Sequence, residues 1–157
     1  MKAEEKDFNA MLHDAGDMPK VQIITDAKAI ARYGGSRMYF APKMAYDAIM
    51  KRVPAGKLLT TSAIRAYLAT ENDADFTDPM TAGIFIQIVA WASHQRATDK
   101  TPYWRTLKKD GELNPKYPGG IEAQKAKLEA EGHTILQKGR KNIRYFVKNY
   151  EQFLFKL

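Results

Sequence analysis

The stretch from Asp78 to Ser93 limits the fold more than any other part of the chain. Asp78 followed by Pro79 is a strong helix start. A short acceptor side chain satisfies free backbone N–H groups, and proline suits the first turn, where its missing N–H costs nothing. The residues that follow, Met80–Ser93, carry Ile84, Phe85, Ile86, Ile88, Val89 and Trp91 and no charge. A helix that is apolar nearly all round is mostly buried. At 157 residues the chain is long enough for a single domain with a real hydrophobic core around such a helix.

The flanking segments predict further helices and one hairpin. Pro42 opens a helix whose apolar face is Met44, Tyr46, Ile49 and Met50, running to Arg52. Val53-Pro-Ala-Gly-Lys57 is a turn, and Thr60-Thr61-Ser62 is an N-cap cluster before a short helix with Ile64, Tyr67 and Leu68 on one side. Two short helices joined by the polar loop of residues 71–77 form a helix-turn-helix candidate. Ile121–Glu131 reads as a charged helix stopped by Gly132. His133–Leu136 and Ile143–Val147 read as strands joined by the basic turn Gln137–Asn142. A basic hairpin after helices suggests a wing; a plain solvated hairpin is the alternative. Residues 1–41 read as an N-terminal appendage of unknown role: a short helix over Glu4–Leu12, a break at Asp14–Pro19, a short strand at Val21–Ile24 and a helical turn over Ala27–Arg32 capped by Asp26. The main domain is expected over residues 42–157.

Charge divides unevenly. Residues 1–95 hold 11 Lys/Arg and 11 Asp/Glu, whereas residues 96–157 hold 14 and 7, which is the entire net charge of +7. A positive field concentrated on one part of a domain points to a polyanionic partner. With no cysteine the chain has no disulfide, no thiolate zinc site and no thiol nucleophile. His13, His94 and His133 lie far apart without metal-ligand spacing, so neither a metal nor another cofactor is expected. No apolar run reaches the roughly 18–20 residues of a membrane span, and the start, Met1–Phe8, has no apolar segment after its charges. A cytoplasmic protein with no membrane partner is expected.

Several motifs in order carry a resemblance. They are Val53-Pro-Ala-Gly-Lys57 with Thr60-Thr61, then Thr101-Pro-Tyr-Trp-Arg105, Asp110-Gly-Glu112, Tyr117-Pro-Gly-Gly120 and Leu128-Glu-Ala-Glu-Gly132. Over roughly Met44 to Ile135 the chain resembles the C-terminal, DNA-binding domain of the alkylguanine-DNA alkyltransferases. In kind it is closest to their cysteine-less relatives, the alkyltransferase-like proteins. The resemblance implies a mainly α fold, a winged helix-turn-helix of the alkyltransferase C-terminal type with a small β-hairpin, and double-stranded DNA, alkylated or plain, as the partner.

The resemblance also implies where the family's chemistry would sit. In the active enzymes a Pro-Cys-His-Arg motif supplies a thiolate that accepts the alkyl group from an extruded guanine, assisted by a glutamate; such transfer needs an activated nucleophile. Here Pro102 and Arg105 match the ends of that motif, Tyr103 stands in the place of the cysteine, Trp104 in that of the histidine, and Glu131 in that of the glutamate. Thr61 replaces the family tyrosine that helps rotate the target nucleotide. The family arginine that enters the base stack falls near Ile84–Ile86, where no basic residue lies between Pro79 and His94. The expectation is therefore a non-catalytic DNA-binding protein of DNA repair that senses alkylated guanine or distorted duplex, with a repair-protein partner of unknown identity. The alternative is a regulatory winged-helix protein indifferent to lesions, and an enzyme with a relocated nucleophile is a third reading. Expected DNA contacts are Thr60, Thr61, Ser62, Lys108, Lys109, Gly119, Gly120, Lys138, Arg140, Lys141 and Arg144. Gly119 and Gly120 have a second reading as a tight turn, and Glu131 as a brace. Tyr103 and Trp104 have two readings: stacking on a base, or filling the vacated cavity.

Overall fold

In the computed structural model, residues 5–157 are described; Glu4, the first residue of the expected N-terminal helix, lies outside them. The longest helix, α5 (Pro79–Gln95), is the axis of the fold. It begins as its sequence predicts: the Asp78 carboxylate accepts from Thr81 N at 3.0 Å and Pro79 follows in the first turn. Around it pack α1 (Phe8–His13), α3 (Lys43–Met50) and α4 (Thr61–Glu71). The main core joins Ala82, Ile86, Val89 and Ala92 of α5 to Phe8 and Leu12 of α1, Tyr46 and Met50 of α3, and Ile64 and Leu68 of α4. α3 stops at Met50 rather than Arg52, and Pro42 stands at the position just before its first residue, without a side-chain capping bond.

One expectation is corrected here. The α5 helix is not buried all round. Met80 is 74% and Ile84 50% exposed, Gly83 is exposed, and Phe85, Gln87 and Trp91 are only half-buried. Its C-terminal half is sealed by α1 and α3, but no element covers one side of its N-terminal half. Hydropathy along the chain cannot distinguish these halves, because both are equally apolar.

Residues 8–41 are knitted into this body. α1 lies along α5, with Phe8 stacked on Trp91 at 5.6 Å between centroids. β1 (Lys20–Ile23) pairs antiparallel with β2 (Arg37–Phe40), and β2 pairs in parallel with β4 (Phe76–Thr77), in the connection between α4 and α5. Between the first two strands, α2 (Ala27–Tyr33) is capped by Asp26 and ended by Gly34 in the left-handed conformation. Gly34-Gly35-Ser36 is thus a turn between α2 and β2 inside one packed unit.

The C-terminal part builds a second, smaller core of Leu58, Leu107, Leu113, Leu128 and Val147. Over it lie α6 (Gly120–Ala130) and a hairpin of β6 (Ile135–Lys138) and β7 (Arg144–Val147), with Lys138 opposite Arg144 at its turn end. A short parallel pair, β3 (Leu59–Thr60) with β5 (Thr106–Leu107), joins the two cores.

Candidate nucleic-acid interface

The Thr101–Arg105 stretch is held from three sides. Thr101 donates its hydroxyl to the buried Asp47 carboxylate of α3 at 2.6 Å, and its backbone N–H and C=O both bond the Ser93 hydroxyl of α5, at 2.8 and 2.9 Å. Arg96 adds a bond from Nη2 to Thr101 Oγ1 at 3.1 Å. A buried carboxylate persists only when paired and hydrogen-bonded, and Lys51 Nζ at 3.3 Å and Arg96 Nη2 at 3.7 Å supply the charge partners of Asp47.

Tyr103, in a single 3-10 turn over residues 103–105, points inward and is 4% exposed. Its ring meets Trp104 edge-on at 5.5 Å and Tyr117 edge-on at 5.3 Å. Burial raises its hydroxyl pKa, so the phenol stays protonated and is a poor nucleophile. Of the two sequence readings for this residue, cavity filling is the one its geometry matches. Trp104 is only half-buried. Its indole donates from Nε1 to Glu131 Oε2 at 3.2 Å, and Lys127 and Arg105 lie over the ring at 4.8 and 5.2 Å from its centroid.

Arg105 and Glu131 form a forked pair. Arg105 donates from Nε to Oε1 at 2.9 Å and from Nη2 to Oε2 at 2.6 Å, and from Nη1 to the Val53 carbonyl at 2.7 Å. Burial alone would raise the Glu131 carboxyl pKa, but the bonds from Arg105 and Trp104 outweigh it and hold the group below the usual carboxylate range. Glu131 is therefore a fixed anion bracing the 53–57 turn to the 101–105 stretch. Next to it, His133 is buried against Phe153, and burial depresses its imidazole pKa so that the neutral form is favoured.

The uncovered side of α5 faces a groove of about 480 Å³. Met80, Gly83, Ile84 and Gln87 of α5 line it; Thr61 and Arg65 of α4 and Lys108, Lys109, Asn114 and Lys116 of the following loop contribute the rest of its polar side chains. The lining carries four cations and no anion. The loop is anchored to α5 by the Trp91 indole, which donates to the Lys116 carbonyl at 3.0 Å. Arg65, Lys116, Met80, Ile84 and Gln87 are absent from the contacts expected from the sequence. The signal that could have revealed them is the i, i+4 spacing of Met80 and Ile84 beside Gly83 and Gln87, the only non-apolar interruptions of that face after Thr81.

The remaining expected contacts fall in different places. Thr61 and both Lys108 and Lys109 line the groove, whereas Thr60 is the buried N-cap of α4, accepting from Ala63 N at 3.3 Å. Ser62 is exposed and sits on another face of α4, in a shallow cleft with Tyr33 and Asp75. Gly119 and Gly120 have φ of 77° and 67°, and a Cβ on Gly119 would lie 2.5 Å from the Ala123 Cβ. Their geometry is that of a tight turn into α6. Lys138, Arg140 and Lys141 are exposed at the hairpin end. Arg144 is engaged: it grips the buried Glu112 from Nε at 2.9 Å and Nη2 at 2.6 Å, and Lys108 Nζ lies 4.0 Å from the same carboxylate. These bonds lower the Glu112 pKa and tie the turn end of the hairpin to the Lys108 edge of the groove.

Two helices meeting beside a cationic groove, followed by a basic hairpin tied to its edge, define a mainly α domain with small sheets and a surface suited to a polyanion. No protein-family model matches the chain, and no curated protein sequence matches it. Solved structures that share its fold include S. pombe Atl1 in complex with damaged DNA containing O6-carboxymethylguanine, at 20% identity and a TM-score of 0.52. A second is S. pombe ATL in complex with DNA, at 21% identity and a TM-score of 0.53. Each comparison covers 73% of this chain and 94% of the other. Among the described residues no helix is long and apolar enough to cross a membrane.

Proposed function

We propose that the protein is a non-catalytic binder of double-stranded DNA, a winged helix-turn-helix in which α4 and α5 are the helix pair and β6–β7 the wing, acting on alkylated or otherwise distorted duplex in DNA repair. The observation that carries this reading is the groove on α5, with four cations and no anion in its lining. Phosphate contacts of this kind supply most of the affinity for duplex. The fold shared with S. pombe Atl1, which is described in complex with damaged DNA, supports the choice of partner. The absence of cysteine from the sequence and the buried, protonated Tyr103 support a protein that accepts no alkyl group.

A second reading, a winged-helix regulator indifferent to lesions, is favoured by one observation. Tyr103, which by resemblance stands in the place of the family's cysteine, is buried with its ring against Trp104 and Tyr117. One experiment addresses both. Plain duplex and duplex with guanine alkylated on its exocyclic oxygen are titrated at several salt concentrations, and the protein is weighed by intact mass spectrometry afterwards. The expected result is salt-dependent binding to both, a preference of about tenfold for the alkylated duplex, or about 1.4 kcal/mol, and an unchanged mass. Equal affinities would favour the regulator, and a stoichiometric alkyl adduct would refute the non-catalytic reading.

A further inference from the structure

The N-terminal sheet has an open outer edge. β1 is the terminal strand in the order β1-β2-β4, and among the described residues no strand lies on its other side. The Ile24 N–H donates to the Ser36 carbonyl at 2.9 Å. Backbone direction alternates along an antiparallel strand. Lys20, Gln22 and Ile24 therefore turn their N–H and C=O groups to β2, and Val21, Ile23 and Thr25 turn theirs outward. The side chains of Val21 and Ile23 are exposed too, at 39% and 57%. An exposed edge that carries apolar side chains is a template for another strand.

We propose that this edge pairs with β1 of a second copy of the chain, antiparallel, about a two-fold axis at Ile23. Outward-facing residues must meet outward-facing ones, which leaves few registers. A register centred on Val21 or on Gln22 sets Pro19, which has no N–H to donate, within the ladder. The register centred on Ile23 leaves Pro19 outside it. It sets Ile23 against its own copy, Val21 against Thr25, and Lys20 against Asp26, so an apolar pair sits on the axis and opposite charges meet twice. Both charges are available for this. Lys20 holds the exposed Asp17 at 2.7 Å, a surface pair that contributes little and is readily exchanged. Asp26 is exposed and uses one carboxylate oxygen to cap α2. Such a self-complementary contact closes at two copies. The product is one six-stranded sheet in the order β4-β2-β1-β1-β2-β4, with its β4 strands about 24 Å apart at roughly 4.8 Å per strand. Because β4 runs directly into α5, the dimer carries two copies of the groove. The pairing does not depend on what the groove binds.

One short strand makes a small interface, at the weak end of specific ones. Sedimentation of the wild type is therefore expected to show monomer at about 1 µM and mostly dimer at about 100 µM. Ile23→Lys, folded because the side chain is exposed, stays monomeric at the higher concentration. The absence of cysteine from the chain lets single-cysteine variants read the register. Opposed residues of a hydrogen-bonded pair have Cα atoms about 5.5 Å apart, within disulfide reach. Under mild oxidation Ile23→Cys cross-links nearly completely. Val21→Cys lies about 13 Å from its copy, four residues along the strand, and cross-links about tenfold more slowly. A wild type that stays monomeric at the higher concentration overturns the proposal. So does a dimer that survives Ile23→Lys, or equal cross-linking of the two cysteine variants. Should Ile23→Lys fail to fold, the two cysteine variants alone decide.

Discussion

Arg105 and Glu131 show how a pair of residues changes meaning with its surroundings. In the resembled enzymes the glutamate serves an activated nucleophile; here both its oxygens are taken by Arg105 and Trp104. Their side chains are 13% and 14% exposed. Breaking such a pair leaves an anion with half its partners, which costs more than an exposed pair and less than a fully buried one. Arg105→Ala is expected to lose about 2–3 kcal/mol of stability in urea titration. The acid dependence should change with it. Because the folded pKa of Glu131 is lowered, the pair's contribution is complete above the ordinary glutamate value and is lost as pH falls through the folded one. The variant should therefore lose less stability than wild type between neutral pH and pH values below about 4. Equal acid limbs for the two proteins would show that Arg105 does not hold Glu131 ionised.

The hairpin and α5 illustrate a division of labour between elements. Lys138, Arg140 and Lys141 are exposed, with Lys138 Nζ over the Phe146 ring at 4.7 Å from its centroid, whereas Arg144 is engaged in gripping Glu112. Neutralising Lys138, Arg140 and Lys141 to glutamine is expected to weaken duplex binding by similar factors for all sequences. It should also reduce the slope of log affinity against log salt, by about 0.9 for each phosphate that these side chains no longer neutralise. Fluorescence titrations at several salt concentrations check this. An unchanged slope would show that β6–β7 does not touch the phosphate backbone. Sequence preference should survive in this variant, since phosphate contacts carry no base information.

Across the molecule, the β3–β5 pair joins the two cores, Trp104 packs against both, and the N-terminal segment contributes directly to the larger one. Leu12 is 2% exposed and Phe8 6%, both in the cluster with Trp91 and Ala92 of α5. Leu12→Ala is expected to cost about 2–5 kcal/mol and to lower the single unfolding transition of the whole chain. If the N-terminal segment were independent, a separate early transition would appear in calorimetry while hydrogen exchange in α5 stayed unchanged.

Local chemistry carries much of this architecture in the open. Asp26, Thr60 and Asp78 cap helices where short acceptor side chains precede apolar periodicity, and Gly34 and Gly119 stand at positive φ where only glycine is at ease. The order of motifs from Val53 to Gly132 and the absence of cysteine were legible as well, because they are statements about residue type. Three things were not: the exposure of Met80 and Ile84, the capture of Arg144 by Glu112, and the inward turn of Tyr103. Each depends on which surfaces remain after residues far apart in the chain have packed together. Hydropathy and charge are properties of single residues, but burial and pairing are properties of neighbours. The β2–β4 pairing that binds residues 37–40 to 76–77 exists only once the chain has closed on itself.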